Sequence, residues 1–123
     1  MTFDPSSVRI ELVTNFDTAY NFMEWCRTVP DQLIALDVET DGLDWYDGKL
    51  RLVQFGTRDE GWALDALRWR GVIEEGLRRI IDRGLAVIMH NCAFDQHALE
   101  SSGYPTPLWS LSLIHISEPT RPY

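Results

Sequence analysis

The stretch LIALDVE, residues 33–39, decides the fold, because it is an apolar run of strand length that ends in acidic residues. Such a run between turn-forming segments is typical of a strand inside a sheet. Asp37 and Glu39 lie two positions apart, so a strand projects both carboxylates from one face, with Cα atoms about 6.6 Å apart. The segment therefore predicts a buried central strand with a pair of carboxylates at its C-terminal end.

The segments before this strand predict one more strand and a helix. Residues 8–13 (VRIELV) alternate apolar and polar residues, which is typical of a half-buried strand. Asn15 or Asp17 can cap a helix that ends near Pro30. The apolar positions of this helix recur at helical spacing and are Ala19, Phe22, Met23 and Cys26.

The segments after this strand predict the rest of an α/β domain. Residues 40–49 carry two Asp–Gly turn signals and residues 50–57 resume strand alternation, which predicts a long hairpin. The further predicted elements are a short strand over residues 61–64, a helix over residues 72–81 ended by Gly84, a strand over residues 85–89 and a helix over residues 94–102 ended by Gly103. This order predicts a mixed sheet with an antiparallel portion, flanked by helices.

Charge and composition narrow the classes of function. The chain carries 11 basic and 19 acidic residues, and a net charge of -8 argues against a protein that grips duplex nucleic acid through broad counterion release. An acidic chain is compatible with a divalent-cation site, because bound ions reverse the local field that a phosphate meets. Cys26 and Cys92 lack metal-binding spacing and are predicted to be reduced.

Two further patterns in the sequence predict where the protein is located and which helix face is exposed to solvent. The sequence has no apolar run long enough to cross a bilayer and no signal-peptide pattern, so we expect a cytoplasmic protein without a membrane partner. The arginines of residues 68–79 alternate with acidic residues, which predicts a solvated helix face; they are Arg68, Arg70, Arg78 and Arg79, beside Glu74 and Glu75.

A second acidic element follows the last predicted strand. The stretch HNCAFDQHAL, residues 90–99, begins where that strand ends, and Asn91 can cap a helix that carries Asp95. On these residues alone, the alternative for Asp95 is a partner of the helix dipole, and the alternative for Asp37 with Glu39 is a solvated strand end beside a turn. Together the three carboxylates suit Mg²⁺ or Mn²⁺, and phosphate chemistry often uses two such ions about 4 Å apart.

Both acidic elements resemble motifs of one nuclease superfamily. DVETDGL, residues 37–43, resembles the first motif, D-x-E-T, of the DEDD-type 3'-5' exonucleases, and HNCAFD, residues 90–95, resembles the second, N-x-x-F-D. The similarity spans residues 33–104 and points above all to the proofreading exonuclease domain of family A DNA polymerases, with ribonuclease D-like enzymes as cousins. The resemblance implies a ribonuclease H-like fold, a mixed sheet flanked by helices.

The same resemblance implies roles for individual residues. Asp37, Glu39 and Asp95 would be the catalytic ligands of two divalent cations, Mg²⁺ or Mn²⁺. The substrate-binding residues would be Thr40, Leu43 and Asn91. The implied activity is hydrolysis of terminal phosphodiesters at a single-stranded 3' end of nucleic acid, with DNA favoured over RNA. The parent protein would be either a family A polymerase, with this domain as its proofreading part, or a stand-alone nuclease. The alternative is a non-catalytic exonuclease-like domain that binds nucleic acid or braces a polymerase; the presence of all three acidic residues favours the enzyme.

We expect the last 13 residues of the chain to have a different origin from the rest. Residues 111–123 (LSLIHISEPTRPY) resemble a translated sequencing adapter, so we expect a partial exonuclease domain over residues 1–110 followed by a non-native tail over residues 111–123. The third motif of the superfamily, Tyr-x-x-x-Asp, is not found in this sequence. We therefore expect a fold that is incomplete at its C-terminus, and a chain that is inactive by itself although its parent protein is an enzyme.

Overall fold

A computed structural model describes residues 9–41, 49–89 and 92–105, with the backbone alone at residues 92–94 and 96. In these ranges the elements are β1 (Arg9–Leu12), α1 (Phe16–Thr28), β2 (Leu33–Thr40), β3 (Leu50–Gly56), β4 (Glu60–Asp65), α2 (Arg70–Asp82), β5 (Ala86–Met89) and α3 (Cys92–Ser101). This is the order predicted from the sequence. No helix in the described ranges is long and apolar enough to span a membrane.

The strands form one mixed sheet in the order β1-β4-β3-β2-β5. Strand β3 pairs antiparallel with β2 and with β4, whereas β1 pairs parallel with β4 and β5 pairs parallel with β2. The predicted mixed sheet with an antiparallel portion is therefore confirmed. Because β1, β2, β4 and β5 all run in one direction, their C-terminal ends lie along the same edge of the sheet.

Helix α1 begins at a capping box. The Asn15 side chain accepts a hydrogen bond from the Thr18 backbone N–H at 2.9 Å, and the Thr18 hydroxyl accepts one from the Asn15 N–H at 3.1 Å. These bonds satisfy two donors that the first turn of a helix leaves unpaired. Of the two caps that the sequence allowed, Asn15 is the one used, and the helix ends at Thr28, two residues before Pro30.

Helices α1 and α2 contact one another, and aromatic side chains join α1 to the sheet. The Phe22 ring of α1 lies 4.9 Å from the Phe55 ring of β3 and 5.8 Å from the Trp62 ring of β4, measured between centroids. Gly76 of α2 faces the same cluster, and a Cβ at this position would lie 2.7 Å from the Phe22 ring. The missing side chain at Gly76 thus allows the close approach of α1 and α2.

Two predictions of burial are wrong. The sequence predicted a buried central strand over residues 33–39, but only Ile34, Leu36 and Val38 are buried, while the odd-numbered residues from Leu33 to Glu39 are exposed. The predicted half-burial of β1 also fails, since all four of its residues are exposed. Strand β1 lies at the edge of the sheet, and an apolar run does not reveal whether both faces of its strand are covered.

Candidate active site

The two predicted carboxylates of β2 lie on the same exposed face. Asp37 and Glu39 are both exposed, and Val38 between them is 4% exposed and points into the core. Pairing with β3 sets their register, with Asp37 opposite Gln54 and Glu39 opposite Leu52. The ladder becomes irregular between Glu39 and Thr40, so this carboxylate pair marks the end of the regular strand.

The other neighbour of β2 is β5. Within the described ranges, β5 pairs with β2 from Leu33 to Leu36, which lies opposite Met89. Beyond Met89 the chain leads into α3, and α3 contacts both β2 and β5. Because β5 runs parallel to β2, the chain leaves both strands at the same edge of the sheet. Helix α3, which carries Asp95, therefore starts on the side of the sheet edge where Asp37 and Glu39 lie.

Asp95 lies in the first turn of α3 and is 2% exposed. Among the described side chains it is the one polar or charged group that is buried. Asp is almost never fully buried unless it is paired with another group. A carboxylate that served only the helix dipole would keep its contact with water, so this burial favours a more specific role for Asp95.

The chemistry of the three donors fits a divalent cation, because hard ions prefer carboxylate oxygens. A shared ion also requires that the three carboxylates lie close together. In the ranges with described side chains, no three His, Cys, Asp or Glu residues lie close enough together to hold a metal ion. Joint binding of ions by Asp37, Glu39 and Asp95 therefore stays a prediction.

The remaining predicted site residues are only partly described. Thr40 is half-buried and follows Glu39 directly at the end of β2. Leu43 and Asn91 lie outside the described residues, so their predicted contacts with the terminal nucleotide stay predictions.

Asp41 closes the neck of the β2–β3 hairpin and was missed by the sequence analysis. Its carboxylate accepts a hydrogen bond from the Lys49 N–H at 2.9 Å, and its own N–H donates to the Lys49 carbonyl, also at 2.9 Å. The Arg51 guanidinium lies 3.8 Å from the same carboxylate. These contacts hold the end of β2 in place beside Glu39. The available signal was an Asp at the start of a turn that ends in a basic residue.

A shallow pocket of about 370 Å³ lies on the exposed face of the sheet and reaches Asp37. Its floor is flat because Ala35 lies opposite Gly56, which in turn lies opposite Gly61. Ile10 and Ile88 contribute apolar surface to the lining, and Glu39 does not line the pocket. The pocket is thus an apolar surface that adjoins one of the two carboxylates.

Helix α1 carries ionisable groups with shifted pKa values. Burial raises the pKa of the Cys26 thiol from 9.0 to about 12, and a hydrogen bond from Arg27 lowers the pKa of the Glu24 carboxyl. Cys26 is buried and free of disulfide bonds, as predicted, and a thiol with so high a pKa is a poor nucleophile. The Cys92 side chain lies outside the described part of the chain.

Comparison with known proteins yields a family and several relatives. Residues 10–116 match the model of the 3'-5' exonuclease domain of the family A DNA polymerase type. The chain is 32% identical over 95 residues to a DNA polymerase of Mycobacterium phage D29, and 38% identical over 69 residues to a DNA polymerase of Mycobacterium phage L5. The first alignment covers 76% of this chain and 16% of the polymerase, and the second covers 54% and 11%. The chain thus spans less than a fifth of these relatives.

Solved structures share the fold at low sequence identity. The catalytic core of RRP6 from Trypanosoma brucei superposes with a TM-score of 0.68 at 17% identity, over 92% of this chain and 33% of that one. Escherichia coli RNase D superposes with a TM-score of 0.60 at 22% identity, over 81% of this chain and 26% of that one. These likenesses confirm the expected ribonuclease H-like α/β fold.

Proposed function

The chain belongs to the 3'-5' exonuclease domain family of family A DNA polymerases, and on that premise we propose that it is the catalytic part of a metal-dependent proofreading nuclease. Membership supports a parent protein that acts on nucleic acid as a nuclease. The observation that carries the proposal is the pair of exposed carboxylates, Asp37 and Glu39, at the end of β2, beside a helix that buries a third, Asp95.

In the proposed reaction, Asp37, Glu39 and Asp95 would be the residues that hold divalent cations near the terminal phosphodiester. Two bound ions would supply an activated water and would neutralise charge on the departing 3' oxygen. Asp37 and Glu39 leave one face of β2 and therefore approach the phosphate from the same side. Thr40, Leu43 and Asn91 are proposed to contact the terminal nucleotide, since they belong to the same two motifs.

The phage relatives support DNA as the substrate. Both are DNA polymerases, so we propose that the parent protein joins this domain to a polymerase and that a single-stranded 3' end of DNA is its substrate. Trypanosoma brucei RNase D, which has been solved with RNA U12, is only 20% identical to this chain, and that likeness concerns the fold alone. We also propose that the 123-residue chain hydrolyses little by itself, since its sequence has three of the four acidic residues of the superfamily's motifs.

An end-labelled oligonucleotide assay tests this proposal. The polypeptide should be extended through the native reading frame beyond residue 110 and incubated with Mg²⁺ or Mn²⁺ and a single-stranded DNA or RNA labelled at its 5' end. We expect stepwise shortening from the 3' end, faster on DNA. Asp37→Ala should slow it by about a thousandfold or more, equivalent to about 4 kcal/mol of transition-state stabilisation.

Asp82→Ala is the matched control, because Asp82 is a partly exposed carboxylate at the end of α2 and belongs to neither motif. It should leave the rate unchanged. Shortening that does not respond to Asp37→Ala would defeat the metal role. Tight binding of the oligonucleotide without any shortening would identify a non-catalytic nucleic-acid-binding domain instead.

A further inference from the structure

Arg70, the first residue of α2, bridges two helices. Its guanidinium donates a hydrogen bond to the Ser102 carbonyl at 2.6 Å and lies 4.5 Å from the centroid of the Tyr104 ring. It also donates to Glu74 at 3.1 Å within its own helix. Ser102 and Tyr104 follow the last turn of α3, so one side chain ties the start of α2 to the end of α3.

The end of α3 is built to receive this contact. Gly103 has a φ of 81°, the Gly103 N–H donates to the Glu100 carbonyl at 3.0 Å, and the Tyr104 N–H donates to the Leu99 carbonyl at 3.0 Å. This is a Schellman motif, which leaves the Ser102 carbonyl free to accept from Arg70. A Cβ on Gly103 would lie 3.0 Å from the Arg70 guanidinium, so a side chain at this position would displace that group.

Arg70 supplies a charge that α3 lacks. The last turn of α3 contains no basic residue, although a cation at the C-terminal end of a helix interacts favourably with the helix dipole. Arg70 places its guanidinium at that end from another helix. Arg78, two turns further along α2, forms an ion pair with the same Glu74 at 3.9 Å within that helix.

The position of α3 decides where Asp95 lies. Asp95 is seven residues before Ser102, a separation of about 10 Å along the helix axis. A tilt of a short rigid helix about one end displaces the other end, so a loosened C-terminal end moves the Asp95 carboxylate relative to β2. Helix α2 follows β4, which belongs to the same sheet as β2. The contact of Arg70 therefore links the end of α3, through α2, to the sheet that carries Asp37 and Glu39.

We infer that Arg70 is a positioning residue for the proposed catalytic site: it fixes the end of α3 through Ser102 and Tyr104, and so limits where Asp95 can lie relative to Asp37 and Glu39. This inference rests on the proposed function and adds to it a residue outside both sequence motifs. Residues that orient metal ligands typically change metal affinity by about ten- to a hundredfold when they are removed.

The test measures the Kd for Mn²⁺ of the 123-residue chain in a titration monitored by electron paramagnetic resonance. The titration is carried out well below the temperature at which the chain unfolds. Arg70→Ala should raise the Kd for Mn²⁺ by about tenfold or more. Arg70→Lys keeps the charge and one donor and should recover part of this loss, whereas the matched control Arg78→Ala should stay within about twofold of the wild type. Thermal unfolding of each variant separates lost affinity from lost fold.

A double variant tests whether Arg70 affects Mn²⁺ binding through Asp95. In an Asp95→Ala background, Arg70→Ala should cause no further rise in Kd, because residues that act through one another are not additive. An unchanged Kd for Arg70→Ala, or an equal rise with and without Asp95, would overturn the role of Arg70 and leave the nuclease proposal standing. A wild-type chain that binds no Mn²⁺ would remove the proposed metal site, and Arg70 would then have no ligand to position.

Discussion

The two faces of β2 differ although they belong to the same eight residues. Ile34, Leu36 and Val38 are at most 4% exposed and pack into the core, whereas Asp37 and Glu39 on the opposite face are exposed. A strand turns successive side chains to opposite faces, so residues of opposite role are direct neighbours in sequence. Stability and chemistry are thus separated by one position of the chain.

This difference predicts that substitutions on the two faces affect different properties. A change on the core face should lower the free energy of unfolding, because it removes apolar contacts. A change on the acidic face should alter ion binding and leave unfolding nearly unaffected, because exposed charges contribute little to stability.

Phe22→Ala should have the largest effect on stability. Phe22 is 0% exposed and contacts rings from α1, β3 and β4, so its truncation should lower the free energy of unfolding by about 4 kcal/mol. Urea unfolding followed by circular dichroism measures the change. Tyr20→Ala is the control, since Tyr20 is 61% exposed on the same helix and should cost less than about 1 kcal/mol. Equal losses for the two variants would mean that α1 does not pack as described.

Val38→Ala and Asp37→Asn compare the two faces at adjacent positions. Val38→Ala should lower the free energy of unfolding by about 2 kcal/mol, since it removes buried methyl groups. Asp37→Asn should change it by less than about 0.5 kcal/mol, because Asp37 is exposed. Mn²⁺ affinity should show the reverse order, with the larger loss in Asp37→Asn. The same loss of stability in both variants would contradict the separation of the two faces.

The pH dependence of stability should show a smaller effect, which comes from the core side. Burial raises the pKa of Cys26 to about 12 from 9.0, so the stability tied to its neutral thiol is fully present below pH 9 and is lost as pH rises towards 12. Between pH 8 and 10 this group should remove about 1 kcal/mol from the free energy of unfolding. Cys26→Ala should abolish that part of the slope, whatever its effect at pH 8. Identical slopes for the two proteins would show that the thiol is not protected.

Local patterns in the sequence were enough to predict the order of the elements. The Asn15 cap, the Pro30 stop and the glycines at 84 and 103 are signals carried by a few neighbouring residues, and each marks a helix end in the structure. The two-residue spacing of Asp37 and Glu39 placed both on one face of a strand, which the structure confirms.

Contacts between distant segments were not predictable in this way. The arginines of residues 68–79 were predicted to form a solvated helix face, but Arg70 bonds Ser102 32 residues away, and Arg79 donates to the Met23 carbonyl 56 residues away. The burial of β2 was overestimated for the same reason, because a run of apolar residues does not show what covers each face. Likewise, the 2% exposure of Asp95 depends on where α3 meets the sheet, which no spacing within one motif reveals.

The central claim is that Asp37, Glu39 and Asp95 share divalent cations at the end of β2. Anomalous diffraction from crystals grown with Mn²⁺ tests it most directly, because the method locates each ion without assuming its ligands. We expect at least one ion in direct contact with a carboxylate oxygen of Asp37 and of either Glu39 or Asp95, and no ion in that position in crystals of Asp37→Ala. Well-ordered crystals in which Mn²⁺ binds elsewhere, with Asp95 directed away from the other two carboxylates, would contradict the account.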